Sequence, residues 1–293
     1  MSTSALAASR SVAADYLELT KPRITFMVVL MAVVGFVMGS PGTVGVAALS
    51  AALLGTGLVA AGASALNMLF ERHTDGLMVR TRNRPLPSGR LRPAEALAFG
   101  MSLTASGLLE LFWTSGPVAA AVAFTTWATY LFLYTPLKTR TSFSTIVGAF
   151  PGALPPVIGW AAARGSVDHG AFLLFAIQFL WQIPHFLAIA WIFREDYARG
   201  GFPMLPVLDA DGRITGRQAL ANSVALLLVS LTPTAAGMAG RVYFLGALLL
   251  GTAFVAVAWR AATVRSAPAA RALFLASLVY LPAVSALLLT DRL

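Results

Sequence analysis

Asn67, Glu71 and Asp75 stand four residues apart at the end of a long apolar run, in the stretch N-M-L-F-E-R-H-T-D-G-L-M-V-R-T-R-N-R-P-L-P-S-G-R-L-R at 67–92. If the preceding helix continues through them, they share one face, about 6 Å apart at 1.5 Å rise per residue. Three oxygen-bearing side chains, two of them carboxylates, suit Mg²⁺, a hard cation that fills its remaining positions with water or phosphate. Arg80, Arg82, Arg84, Arg90 and Arg92 follow at once. Guanidiniums fork onto phosphate oxygens, so the stretch has the chemistry of a diphosphate site. A basic loop that only fixes topology is the competing reading, though such a loop needs no acidic row.

Further polar groups are sparse. Glu195 and Asp196 close another long apolar segment, W-Q-I-P-H-F-L-A-I-A-W-I-F-R-E-D-Y, at 181–197. They sit at the same expected depth as Asp75, where two acidic groups could share metal ions or simply neighbour Arg194 and Arg199. Gln182 and His185 lie deeper, and polar groups there usually face the bundle interior. His185 therefore reads either as a satisfied core histidine or as a contact to substrate. Tyr134, Lys138 and Arg140 fall in Y-T-P-L-K-T-R at 134–140, where they could reach a diphosphate or anchor the interface. Lys21-Pro22-Arg23 reads as a topology signal, His73 as a surface residue and Glu110 as a packing or interfacial acid.

These groups need elements to position them. Hydrophobic residues make up 58% of the 293 and charged residues 11%, well below the roughly 25% charged of soluble domains. Mean hydropathy is +0.77. The chain is an integral membrane protein, and its net charge of +9 is better explained by the positive-inside rule than by nucleic acid. With no cysteine, disulfides, thiolate catalysis and Cys-ligated metals are excluded. The first residues are small and polar and carry no cleavable signal. Nine stretches have the length and apolarity of a span: 24–39, 44–70, 94–114, 117–134, 143–163, 170–193, 219–239, 241–261 and 268–289. Alternating them across a membrane puts eighteen Lys and Arg on the side of the N-terminus and three on the other. That asymmetry predicts a cytoplasmic N-terminus and an outer C-terminus. The connections are short, so the whole of 1–293 reads as one polytopic domain. Pro151, Pro155 and Pro156 predict a kink in the fifth span, and A-A-G-A-S-A at 60–65 predicts close helix packing.

Together these features resemble the UbiA superfamily of intramembrane prenyltransferases. The likeness lies in the N-x-x-x-[DE]-x-x-x-D row after the second span, the acidic cluster after the sixth and the nine spans. Within it, L-T-K-P-R-I at 19–24, N-x-x-x-E-x-x-x-D-x-x-M-x-R-T-x-N-R-P-L at 67–86, Y-T-P-L-K at 134–138, G-A-L-P-P-V-I-G-W at 152–160, W-Q-I-P-H-F at 181–186 and D-Y-A-R-G-G-F-P-M-L-P at 196–206 resemble the haem O synthase branch.

The resemblance implies an all-α fold of nine transmembrane helices around a central cavity. It implies farnesyl transfer to haem B in a bacterial cytoplasmic membrane. Asn67, Glu71, Asp75 and Asp196 would hold Mg²⁺ on farnesyl diphosphate. Arg80, Arg84, Lys138, Arg140, Tyr134, Gln182, His185 and Tyr197 would contact the substrates. Haem A synthase or oxidase assembly factors would receive the product. The wider superfamily often carries D-x-x-x-D in its second motif, whereas Gly200 stands four after Asp196 here. Two rivals remain: a related prenyltransferase with another aromatic or tetrapyrrole acceptor, and a transporter. The latter is disfavoured by the lack of a clear repeat and by acids placed at the surface.

Overall fold

The computed structural model describes residues 11–293; Arg10 and most of the polar N-terminal stretch lie outside them. Among the described residues, nine helices are long and apolar enough to cross a membrane: Pro22–Gly39, Val46–Phe70, Pro93–Ser115, Pro117–Leu137, Ser144–Arg164, His169–Ile192, Arg213–Ala235, Arg241–Val264 and Ala267–Thr290. They are numbered here as the first to ninth spans. Large apolar side chains such as Trp113, Val242, Leu249 and Trp259 stay exposed around the bundle, as expected where lipid is the solvent.

Eight spans fall within three residues of the expected bounds, but the seventh begins at Arg213 and ends at Ala235. Its first two turns, R-I-T-G-R-Q, carry too much charge for a hydropathy reading to include. Local hydrogen bonding decides the start. Gly212 takes the left-handed conformation at φ 69°, and the Asp209 carboxylate accepts from the amide and hydroxyl of Thr215 at 2.7 and 2.8 Å. That satisfies a helix-end donor that would otherwise lack a partner.

The second and third spans lie in close contact because glycines meet glycines. A Cβ on Gly62 would stand 2.7 Å from the Gly100 carbonyl, and one on Gly107 would stand 2.7 Å from that of Gly55. In lipid, such backbone approach supplies the packing energy that apolar burial cannot. The fifth span is two helices, Ser144–Ala153 and Pro155–Arg164, broken at Leu154, so the expected kink is present. The fourth opens into a π-helical stretch at Thr129–Tyr134, a device often found at functional sites.

The connection after the second span is folded rather than loose. The short helix Val12–Leu19 docks on it: Asp15 accepts from Arg90 Nε at 2.9 Å. Leu19 is buried with Met68, Leu69, Leu86 and Leu91. This cap fixes the polar end of the bundle, where the chemistry-bearing residues gather.

Candidate active site

The second span stops at Phe70, and Glu71 has φ −88° and ψ 3°. The helical spacing nevertheless survives the break. The Glu71 amide donates to the Asn67 carbonyl at 2.9 Å, and the Asp75 amide to that of Glu71 at 2.8 Å. Asn67, Glu71 and Asp75 are 1%, 7% and 1% exposed. Burial of such groups is costly unless each finds a partner, and each has a cation from a different part of the chain. Lys21 Nζ donates to Asn67 Oδ1 at 2.6 Å. Lys138 Nζ donates to Glu71 Oε1 and Arg84 Nη1 to Asp75 Oδ2, both at 2.7 Å. Asn67 Nδ2 in turn donates to Thr135 Oγ1 at 3.0 Å.

The charges are strongly coupled. Burial alone would raise the Glu71 carboxyl, but the Lys138 and Lys21 ammonium groups outweigh it and hold the carboxyl below its ordinary range. Burial would lower Lys138, yet the Glu71 charge and the neighbouring tyrosines push it above the usual lysine value. Lys21 goes the other way. Burial and then the nearby Arg84 charge bring it from 10.5 down to about 8, the behaviour of a cation pressed against other cations.

Aromatic faces line this cluster. Lys138 Nζ lies 5.3 Å from the ring centroids of both Tyr134 and Phe202. The π-helical turn stacks Tyr130 on Tyr134 at 5.6 Å. Two site residues, Lys21 and Thr135, were not legible as such in the sequence. The signal at Lys21 is conformational: it is a non-glycine at φ 47° immediately before Pro22, a strained backbone of the kind that gathers at functional sites.

The second acidic cluster behaves differently. Asp196 accepts from the backbone amides of Val79 and Arg80 at 2.9 and 3.3 Å and from Arg199 at 2.8 Å. Burial would raise its carboxyl, but these donors hold it below the ordinary range. Among the described residues no three acidic or histidine side chains come together as a group that could hold a metal ion. The two acidic motifs therefore do not merge into one carboxylate cluster; Asp196 instead fastens the loop that follows Asp75.

Glu195 is exposed. A second carboxylate at Gly200, where the wider pattern has one, would require its neighbours to shift. A Cβ there would stand 2.9 Å from Met78 Cγ and from the Phe202 ring. Arg80 leaves the Asn67 row to lie over Phe193 and Tyr197 at 5.5 and 6.0 Å. Arg140 is exposed and is not drawn into the buried cluster.

Gln182 and His185 are buried deep in the sixth span. Gln182 Nε2 donates to the Ala149 carbonyl at 3.0 Å, across to the kinked fifth span. His185 Nδ1 lies 2.7 Å from Ser277 Oγ, and its ring stacks on Trp181 at 4.6 Å. One ring nitrogen is thus engaged with the ninth span, which orients the imidazole and leaves Nε2 as the position for an outside ligand.

The donor set of the Asn67 row fits Mg²⁺. Its oxygens are hard, and their present partners are side-chain ammonium and guanidinium groups, which can turn to a diphosphate as the oxygens turn to a metal. Fold and site thus define an intramembrane helical protein with a buried polar site whose donors suit a divalent cation and a phosphate group.

The sequence matches the UbiA prenyltransferase family over residues 28–279. It is 48% identical to the protoheme IX farnesyltransferase of Solibacter usitatus, over 95% of this chain and 98% of that one. It is 42% identical to the protein of that name from Koribacter versatilis, over 95% and 93%. A digeranylgeranylglyceryl phosphate synthase structure superposes with a TM-score of 0.81 at 16% identity, covering 95% of this chain and 98% of that one. A UbiA homologue from Archaeoglobus fulgidus, solved with GPP and Mg²⁺, superposes at 0.66 and 16% identity over 94% and 99%. The chain belongs to the UbiA prenyltransferase family, and it is a multi-pass membrane enzyme that transfers prenyl groups.

Proposed function

We propose that this enzyme transfers the farnesyl group of farnesyl diphosphate to a vinyl group of haem B, with addition of water, giving haem O and diphosphate. The observation that carries the reading is the buried Asn67–Glu71–Asp75 row under three separate cations at the polar end of an apolar bundle. The relatives named protoheme IX farnesyltransferase, 40–48% identical over most of their length, support the choice of substrates.

Asn67, Glu71 and Asp75 would hold Mg²⁺, which when bound neutralises charge building on the leaving diphosphate. Lys21, Lys138 and Arg84 turn from these oxygens to the phosphate oxygens. The allylic C–O bond then breaks with its electron pair on diphosphate. The terminal vinyl carbon bonds to the farnesyl carbon, water adds to the neighbouring carbon, and that water's second proton is released. The faces of Tyr130, Tyr134 and Phe202 favour the passing cation, and the apolar bundle keeps other water away. His185 and Gln182 serve the haem side: Ser277 holds His185 Nδ1 and leaves Nε2 for an outside ligand, and Gln182 stands three residues before it in the same span. A haem A synthase or an oxidase assembly factor is the expected receiver of the product.

Haem extracted from membranes with and without the protein, read by mass spectrometry, tests the reaction. Haem O is expected only with it. Diphosphate release by the purified enzyme with a hydroxybenzoate but not with haem B would overturn the reading in favour of another acceptor. The charge asymmetry supports a cytoplasmic membrane location with the N-terminus inside. A cysteine at Ser88, in a chain that has none, is expected to escape a membrane-impermeant thiol reagent in intact cells; labelling there would invert the topology.

A further inference from the structure

A second polar feature stands apart from the Asn67 row. A cavity of about 730 Å³ opens where the polar ends of the sixth and ninth spans meet, and Arg80, Arg194, Arg199 and Arg265 line it. Among the described residues only Arg199 of these four has a carboxylate partner, Asp196 at 2.8 Å. Arg80 and Arg194 lie over aromatic rings, the latter 5.2 Å from Trp191. Arg265, at φ 49°, has its Nε on the Thr263 carbonyl at 3.4 Å. Acids also line the cavity, but Asp196 is committed to amides and Arg199, and Asp211 is paired with Arg213 at 3.0 Å. Arg265 is also near enough to act on the Asp211 charge, so Arg80 and Arg194 are the guanidiniums whose partners are aromatic rings rather than acids. Lys21, Lys138 and Arg84, the cations of the diphosphate end, do not line it.

A separate cavity of about 30 Å³, room for about one water, borders Trp191, Arg265 and Ser266 and lies among Leu187, Ala188 and Leu273 on one side and Thr215, Gly216 and Ala261 of the seventh and eighth spans on the other. Next to Leu273 in the chain, Phe274 packs on His185 at 5.2 Å. The sixth and ninth spans, whose polar ends border the basin, also meet deeper at the His185–Ser277 pair. Arg194 lies nine residues beyond His185, roughly 13 Å along the helix axis.

We infer that this basin binds the two propionate carboxylates of the tetrapyrrole acceptor. A flat dicarboxylate matches forked guanidiniums beside a planar indole wall. The inference rests on the haem reading given above.

The test titrates the full-length protein, in neutral detergent free of anionic lipid, with haem B and with its dimethyl ester, whose carboxylates are blocked. Soret absorbance reads the binding. In the Arg194→Gln/Arg265→Gln double variant, haem B affinity is expected to fall at least tenfold. The ester is expected to bind parent and variant alike, and farnesyl diphosphate binding is expected to be unchanged. Unaltered haem B affinity, an equal loss for acid and ester, or loss of farnesyl diphosphate binding instead would each overturn the subsite. If the parent turns haem B over and the variant matches it, the subsite alone falls. A parent that binds neither porphyrin removes the haem reading and the subsite with it.

Discussion

Among the described residues, Asn67, Glu71 and Asp75 take their side-chain hydrogen bonds only from other side chains, whereas Asp196 takes two of its three from backbone amides. Both motifs lie at the polar end of the bundle and both are buried, yet the difference sets what each can do. An ammonium or guanidinium on a long stem can rotate to a new anion at the expense of a few rotamers. An amide cannot leave its acceptor unless the chain moves. The first motif has partners that can exchange, as the proposed function requires. The second is built to hold Val79 and Arg80 in place beside it.

The largest effect that follows is on chemistry. Asp75→Asn is expected to lower farnesyl transfer about a thousandfold, roughly 4 kcal/mol of transition-state stabilisation, in protein that still inserts and folds. Turnover near the parent's would remove the exchange role from the first motif.

Asp196→Asn sharpens the contrast, because its main consequence should be structural. Hydrogen bonds to a charged group contribute about 1.5–3 kcal/mol each, so unfolding should become easier by a few kcal/mol at most. The Val79 and Arg80 amides should exchange hydrogen faster. Unchanged exchange with abolished turnover would instead place Asp196 among the groups that act on the substrate directly.

The smallest effect is a pH dependence carried by Lys21. Its folded-state value of about 8 lies below the ordinary 10.5. In the folded protein the proton is therefore lost above about pH 8, and one cation of the first motif goes with it. Affinity for farnesyl diphosphate should be flat below pH 8 and fall above it, by no more than about tenfold per pH unit. Stability has the opposite sign: the unfolded chain keeps the proton up to about 10.5, so this group's contribution rises between pH 8 and 10.5. Lys21→Arg keeps its charge and should flatten the affinity profile. A parent that binds equally at pH 7 and pH 9.5 would show that Lys21 does not serve the diphosphate.

Much of this was legible in the chain itself. Span number, the bounds of eight of the nine spans and the spacing of the Asn67 row follow from hydropathy and helical period, which are properties of neighbouring residues. The seventh span escaped because Arg213 and Arg217 charge its first turns, while a carboxylate at Asp209 and a left-handed Gly212 start the helix. Lys21 was legible only as a charge before a span. Its partner lies 46 residues away, and that of Lys138 lies 67 residues from it.

Which cation meets which oxygen depends on how the first, second and fourth spans pack. That packing is set by small residues at helix contacts rather than by any local pattern. The same holds for Asp196, where the sequence offers a carboxylate at the right depth and the tertiary structure turns it toward two amides. It holds also for Gly200, where a side chain would have to displace Met78 and Phe202. The sequence determined the donors and their depth, because both are local. Only the tertiary structure decided which donors are free to exchange and which are fixed, because that depends on contacts between segments distant in the chain.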